Sequence, residues 1–244
     1  MIEFRVLGPV AVCRDRLDIT PRAARLRQVL SLLLLQGNNQ AVPLDALVDE
    51  LWGERTPKTA VTTAQTYVYR LRTLLGRARL VTTPHGYLLR AEEDTVDATL
   101  FHRRLDEGHR LLEEGDRETA ARTFRQALDL WTGAALATVA QGRALQAHAV
   151  FLEEKRLHAY ELVIQTELEL GLHRQLVGEL RGLVTTHPLN EWFHAQLITA
   201  LHRSGRRSEA LLAYEHLRAV LDSELGVDPS PEVERVQREV LSIG

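Results

Sequence analysis

The sequence predicts a mainly α-helical fold with a small β component, divided into two domains. Strand-like alternation of apolar and polar residues is confined to short stretches before residue 91. Beyond that point, apolar residues recur every three or four positions, which is the helical period. The charge divides in the same place: residues 1–91 hold 13 Lys and Arg against 7 Asp and Glu, and the remainder holds 17 against 26. We therefore predict one domain over residues 1–95 and a second, all-α domain over residues 96–244.

The composition predicts a soluble globular protein. Of the 244 residues, 45% are hydrophobic and 26% are charged, and no apolar run reaches the roughly 18 residues that indicate a membrane-spanning helix. The start of the chain lacks the basic stretch and apolar block of a signal peptide. The one cysteine, Cys13, allows neither an internal disulfide nor a cysteine-cluster metal site. These features favour a cytoplasmic location without membrane attachment.

The first elements of the N-terminal domain are predicted to be short strands. Ile2, Phe4 and Val6 alternate with polar residues, which is the strand period, and Gly8-Pro9 indicates a turn. Two further β-rich runs predict strands over residues 10–13 and 17–19.

Three helices are predicted to follow. Thr20-Pro21 has the form of an N-cap followed by proline at the first helical position, and this helix is expected to stop near Gly37. The second helix covers about Leu44–Trp52. Thr56-Pro57 repeats the cap-and-proline pattern, so the third helix is expected to run from there to Gly76.

A hairpin is predicted to close the domain. Two β-rich runs flank "TPHG", in which Pro84 and Gly86 occupy positions that suit a type I turn. Two helices joined by a tight link and followed by a hairpin make a winged helix-turn-helix, here with leading antiparallel strands.

The third helix has an unusual polar face. Between Arg55 and Ala91 there is no Asp or Glu, whereas seven Lys and Arg occur there. An acidic side chain on a helix that enters the major groove would meet the phosphate field, so a DNA-reading helix should lack one. The polar face comprises Gln65, Thr66, Tyr69, Arg70, Arg72 and Thr73.

The words "ELWGERTP", "TYVYRLRTLLG" and "TTPHGYLL" resemble signatures of the response-regulator type of winged-helix DNA-binding domain, over roughly residues 2–91. The resemblance implies that Arg70 reads bases and that Thr63, Gln65 and Thr66 lie on the turns that enter the groove. Arg72 is expected to contact the DNA backbone. The resemblance also places Thr62, Tyr67 and Tyr69 where the family often has side chains that contact phosphates. It assigns Trp52, Thr83 and Tyr87 to phosphates and His85 to the wing tip by the minor groove. Lys58 is a further candidate DNA contact from the acid-free stretch.

Several of these residues have a simpler interpretation that the sequence leaves open. Trp52 can equally be a core residue, Tyr67 a half-buried one and His85 a solvated turn residue. For Arg70 and Arg72 the alternative is an ordinary solvated helix face.

The second domain contains a repeat. Three segments align on Gly115, Gly171 and Gly205, and the last two glycines are 34 residues apart, the period of tetratricopeptide repeats. A long helix, predicted over about residues 145–170, lies between the first and the second segment. Short matches of this kind also arise by chance in helical bundles, but three share one phase. The aligned apolar positions are Ala120, Leu176 and Ala210, and then Phe124, Leu180 and Tyr214.

The second domain also resembles the bacterial transcriptional activation domain, through "ALDLWTGAALATV", "LEEKRLHAYE", "LHRSGRRSEALLAY" and "ELGVDPSP". A winged helix joined to that domain resembles a small Streptomyces antibiotic regulatory protein. The resemblance implies an activator of secondary-metabolite (antibiotic) genes. Its expected partners are double-stranded DNA with direct repeats near the promoter −35 region, a second copy bound side by side, and RNA polymerase with its σ factor. The candidate polymerase contact is Gly53, Glu54, Arg55 and Thr56.

No motif of enzyme chemistry occurs. The sequence lacks a glycine-rich phosphate loop, H-E-x-x-H and G-x-S-x-G, and its histidines are scattered. We therefore predict a protein that is not an enzyme and that uses no cofactor or metal. Two alternatives to the activator remain: a repressor or DNA-tethered adaptor whose repeat domain binds a protein regulator, and a protein-interaction module with an incidental basic domain.

Overall fold

The computed structural model describes residues 1–36, 40–91 and 96–242. Within that part the chain is mainly helical, with a small antiparallel β component near the N-terminus, as the sequence predicts. None of its helices is both long and apolar enough to cross a lipid bilayer. The elements are β1 (Ile2–Arg5), β2 (Ala11–Arg14), β3 (Leu17–Asp18), α1 (Ala24–Leu35), α2 (Leu44–Trp52), a 3₁₀ turn (Gly53–Arg55), α3 (Ala60–Leu75), β4 (Leu80–Thr83), β5 (Gly86–Leu89), α4 (Asp97–Glu113), α5 (Arg117–Leu128), α6 (Arg143–Glu169), α7 (His173–Thr186), α8 (Glu191–Arg203), α9 (Arg207–Leu225) and α10 (Pro231–Ser242).

The three leading strands form one antiparallel sheet in the order β1-β2-β3. Phe4 lies opposite Val12, and both side chains are buried. Because the side chains of a strand alternate between its two faces, this register places the apolar set on the core side. The strands predicted from alternation are confirmed to within a residue or two at their ends.

The predicted starts of α1 and α3 are wrong. α1 begins at Ala24, and the Thr20 hydroxyl accepts a hydrogen bond from the Val12 amide at 2.9 Å rather than capping the helix. α3 begins at Ala60, and the Thr56 hydroxyl does not cap it but donates a hydrogen bond of 2.8 Å to the Gly53 carbonyl of the 3₁₀ turn. Neither hydroxyl caps the helix that follows, because Thr20 is bonded to β2 and Thr56 to the 3₁₀ turn. Gly37, the expected stop of α1, lies outside the described residues.

The predicted hairpin is confirmed, and it is anchored to the segment before α2. β4 and β5 pair with Thr83 opposite Gly86. The backbones of Val42 and Tyr87 exchange two hydrogen bonds of 2.8 and 2.9 Å. This isolated bridge joins the two-stranded wing to the segment that leads into α2.

Two compact units make up the chain. The first comprises Met1–Arg110 and Thr123–Ala159, and the second comprises Leu111–Arg122 and Tyr160–Gly244. The first unit therefore includes much of α4 and α6 as well as the strands and the wing. The boundary after residue 95 stays a prediction about domains along the sequence.

The glycines of the repeat occupy equivalent turns. Gly115, Gly171 and Gly205 have φ values of +83°, +79° and +77°, a region that favours glycine. Each glycine ends one helix two residues before the next helix begins, through the backbone hydrogen bonds typical of a left-handed C-terminal cap. The six aligned apolar residues are all buried, which supports the alignment made from the sequence.

Candidate nucleic-acid interface

Two opposite faces divide α3. One face packs into the core of the first unit through Ala64, Val68 and Leu71, which are at most 1% exposed. The opposite face is exposed, as expected for a helix with polar residues on one side. Its exposed polar side chains are Thr62, Gln65, Thr66, Tyr69, Arg70 and Thr73, and Val61 is exposed as well.

Arg70 is the free cation of this face. It is exposed and has no hydrogen-bond or ion-pair partner among the described residues. Tyr69 beside it is 62% exposed. The Thr66 hydroxyl donates to the Thr62 carbonyl at 2.8 Å, so its proton is used within the helix while its methyl group and lone pairs remain available. The exposed face of α3 thus presents one guanidinium without a hydrogen-bond partner in the described part of the chain, that of Arg70, among neutral hydrogen-bonding groups.

Arg72 differs from Arg70 because its guanidinium is already bonded inside the protein. Its Nε donates to the Leu80 carbonyl at 2.7 Å, and its Nη2 donates to the Thr82 hydroxyl at 2.8 Å. These bonds join α3 to β4 and fix the wing relative to the helix. The contact of Arg72 with the DNA backbone stays a prediction, and the structure adds this positioning role.

The wing tip is held in shape by Thr83 and Gly86. The Thr83 hydroxyl accepts from the His85 amide at 3.3 Å and donates to the Gly86 carbonyl at 3.2 Å. A methyl group added at Gly86, where φ is +135°, would overlap the carbonyl oxygen of Val42. His85 projects from this tip and is exposed, whereas Tyr87 is half-buried.

The other predicted contact residues lie around the start of α3. Trp52, Thr63 and Tyr67 are half-buried, and Lys58 is exposed. The candidate polymerase contact coincides with the 3₁₀ turn, and its four residues, Gly53, Glu54, Arg55 and Thr56, are all exposed. The structure therefore presents this turn as a surface feature between α2 and α3.

Glu50 is a structural residue that our sequence reasoning missed. It lies on α2 and is only 4% exposed. Its carboxylate accepts hydrogen bonds from the amides of Gly142, Ala144 and Leu145 at 2.6, 3.0 and 3.1 Å. A signal was present in the sequence, because position 50 follows Leu47 by three and so falls on the buried face of the helix.

Asp97 is a second carboxylate of this kind. It accepts from the amides of Val6 at 2.9 Å, Leu7 at 3.0 Å and Ala98 at 2.8 Å, and so joins the start of α4 to the end of β1. Burial raises the pKa of Asp97 to about 6, against the opposing effect of the three amides. Together with Glu50, it shows that residues after 95 are bonded into the unit that holds α3.

The histidines are not gathered into a metal-binding cluster in the part of the chain that the structure describes. Nowhere in that part do three His, Cys, Asp or Glu side chains gather as a metal would need. Burial lowers the pKa of His102, His148 and His194 below the ordinary value.

Comparison with known proteins identifies the family. The model of the bacterial transcriptional activator domain matches residues 96–241. The chain is 41% identical to the regulatory protein DnrI of Streptomyces peucetius, covering 98% of this chain and 92% of DnrI. It is 38% identical to the regulatory protein AfsR of Streptomyces griseus, of which it spans 24%.

A solved structure supports the same family assignment. It is EmbR of Mycobacterium tuberculosis in complex with a low-affinity phosphopeptide, which superposes with a TM-score of 0.92 at 31% identity over 99% of this chain and 65% of the EmbR chain. The same order of elements is thus shared along the whole length compared. The chain therefore belongs to the Streptomyces antibiotic regulatory protein family, whose members are bacterial transcriptional regulators.

Proposed function

We propose that this protein is a sequence-specific DNA-binding activator of secondary-metabolite genes, in which the exposed face of α3 enters the major groove. The observation that carries the proposal is the state of Arg70: exposed, unpaired among the described residues and centred on an acid-free face. A guanidinium in that state is available for the two acceptors that guanine presents in the major groove. In this proposal the protein is a regulator and not an enzyme.

Neighbouring residues have distinct parts in this proposal. The Arg70 guanidinium donates two hydrogen bonds to a guanine, while Gln65 and Thr66 contact the bases beside it. Backbone contacts position the protein along the duplex without carrying sequence information. The residues proposed for the backbone or the minor groove are Trp52, Lys58, Thr62, Thr83, His85 and Tyr87.

Two protomers bind side by side on direct repeats near the −35 region in this proposal. This arrangement is the one that the resemblance to the family implies. The exposed face of one α3 carries one free arginine, so a single protomer binds DNA with limited affinity. Binding of two protomers in tandem then adds selectivity for the DNA sequence. The exposed turn from Gly53 to Thr56 then contacts RNA polymerase and its σ factor.

DNA binding is tested by selection from random-sequence duplexes with the purified full chain. We expect enrichment of a direct repeat, and affinity for the selected site that falls steeply with salt. Failure to enrich any sequence, or binding that does not change with salt, would overturn the proposal.

Activation is tested with a reporter placed downstream of the selected site. We expect higher output with the wild-type chain than without it. The variant Arg55→Ala should keep DNA affinity and lose output, because Arg55 lies on the proposed polymerase contact and not on α3. Lower output in the presence of the wild-type chain would instead identify a repressor.

A further inference from the structure

Glu50 connects three helices of the first unit. Its carboxylate is bonded to the amides at the start of α6, which it caps from a different part of the chain. The side-chain amide of Gln28, on α1, donates to the Glu50 carboxylate at 3.2 Å and to the Glu50 carbonyl at 2.7 Å. α1, α2 and α6 therefore meet at this one buried residue.

The contact between α2 and α6 is also tight. A methyl group added at Gly142 would overlap the Glu50 carbonyl oxygen and would come within 2.8 Å of its carboxyl carbon. Only a residue without a side chain allows the two backbones to approach this closely. The start of α6 therefore fixes the last turn of α2 both by hydrogen bonds and by steric fit.

The last turn of α2 determines where α3 lies. Trp52 ends α2, and only the 3₁₀ turn and four further residues separate it from Ala60 at the start of α3. Because α2 and α3 also pack against each other, a shift of α2 moves the DNA-reading face with it. The position of that face thus depends on residues around 142–145, which lie outside the predicted winged-helix domain.

We propose that Glu50 is a positioning residue for DNA recognition: by bonding to the start of α6 it holds α2, and through it α3, in the geometry that reads bases. The inference rests on the proposed DNA-binding function. It makes the start of α6 part of the DNA-binding apparatus, although none of its residues lies on α3 or on the wing. Binding sites of this kind need their supporting groups in place to within about half an ångström.

The rival explanation is that Glu50 only stabilises the fold. A buried carboxylate that loses its amide partners, or amides that lose their carboxylate, reduce stability whatever the residue does for DNA. Stability alone therefore cannot decide between the two roles. The deciding quantity is the DNA affinity of the protein that remains folded.

The test compares Glu50→Ala and Glu50→Gln in the full chain with Asp97→Asn as a matched control. Asp97 is half-buried and, like Glu50, is bonded to backbone amides, but it anchors β1 and not α2. Each variant is measured on a site selected by the wild-type chain, well below its melting temperature and with its fold verified by circular dichroism. We expect the Kd to rise about tenfold for Glu50→Ala, equivalent to about 1.4 kcal/mol, and less for Glu50→Gln, which keeps one acceptor.

The salt dependence supplies a second readout. The slope of affinity against salt should stay as in the wild type, because no phosphate contact is removed. Asp97→Asn should change the melting temperature and leave the Kd unaltered. If both Glu50 variants unfold, Gly142→Ala displaces α2 with Glu50 intact and should raise the Kd in the same way.

Three results separate the possibilities. If Glu50→Ala or Gly142→Ala melts earlier but binds the site with the wild-type Kd, Glu50 is only structural and the inference is overturned. The same conclusion follows if Asp97→Asn raises the Kd as much as Glu50→Ala. If the wild-type chain itself selects no DNA sequence, the proposed function fails, and the inference fails with it.

Discussion

Asp97 offers a direct test of how burial and hydrogen bonding compete in the first unit. Its carboxylate accepts amide hydrogen bonds that favour the charged form, yet burial raises its pKa to about 6 from an ordinary value of 3.8. The substitution Asp97→Asn keeps the shape of the side chain and removes its titration. Comparison of the two proteins across pH therefore isolates this one group.

The sign and size follow from the shift. Because the folded chain keeps the Asp97 proton to a higher pH than the unfolded chain, the contribution of Asp97 to the free energy of unfolding is complete below about pH 4 and is lost as the pH rises through about 6. The difference between 3.8 and about 6 is about 2.2 pH units. At about 1.36 kcal/mol per unit, the wild type should lose up to about 3 kcal/mol relative to Asp97→Asn between pH 4 and pH 7.

Urea unfolding at steps of pH from 4 to 7.5 measures this difference. All other titrating groups are shared, so their contributions cancel between the two proteins. A carbon-detected NMR titration of the Asp97 carboxyl group reports its pKa in the folded chain independently. The reasoning is refuted if the stability difference stays constant over this range, or if the wild type gains on Asp97→Asn as the pH rises, since the amides would then outweigh burial.

Three further predictions concern α3, the wing and the second unit. Arg72→Ala removes two hydrogen bonds from a half-exposed cation and should lower the free energy of unfolding by about 1–2 kcal/mol, measured by urea unfolding, whereas Arg77→Ala should change it little. Gly86→Ala forces a methyl group against Val42 at a positive φ and should cost about 2–3 kcal/mol in the same assay; an unchanged stability would contradict the described fit of the wing. Burial lowers the pKa of His194, so its contribution to stability is complete above about pH 6.5 and is lost as the pH falls through the lower value. His194→Gln should therefore be less sensitive to acid than the wild type in thermal melts between pH 7.5 and 5, and equal sensitivity would contradict this assignment.

Local patterns were sufficient to predict the leading strands, the hairpin and the polar face of α3, although not where α1 and α3 begin. Alternation located the strands because each is paired with a neighbour close in the chain, and the spacing of Ala64, Val68 and Leu71 located the buried face of α3. The lack of acids over residues 55–91 distinguished the opposite face without any knowledge of the fold.

Distant partners could not be predicted in this way. The Thr20 hydroxyl looked like a helix cap, but it is bonded to Val12 on a neighbouring strand. The amide of Gly142 lies 92 residues along the chain from Glu50, and no periodicity connects them. Likewise, the two-residue spacing between Arg70 and Arg72 gives no sign that one guanidinium is free and the other is bonded to β4.

This pattern also changes how the domains should be separated in experiments. A chain cut after residue 95 would lose the amide partners of Glu50 and the carboxylate that joins α4 to β1. It would also lose the backbone bonds that Thr132 and Leu136 make to Leu7 and Val6. Single substitutions in the full chain are therefore the better means of separating DNA binding from activation.

The most direct test of the account measures base preference at the guanine that Arg70 is proposed to read. Wild type, Arg70→Ala and Arg77→Ala are compared on the selected site and on sites in which each base pair is replaced in turn. Arg70→Ala should lose about 1–3 kcal/mol on the selected site and lose its preference for guanine at one position. Arg77→Ala, which removes the same charge from outside α3, should keep that preference. Unchanged affinity and base preference in Arg70→Ala would contradict the central claim.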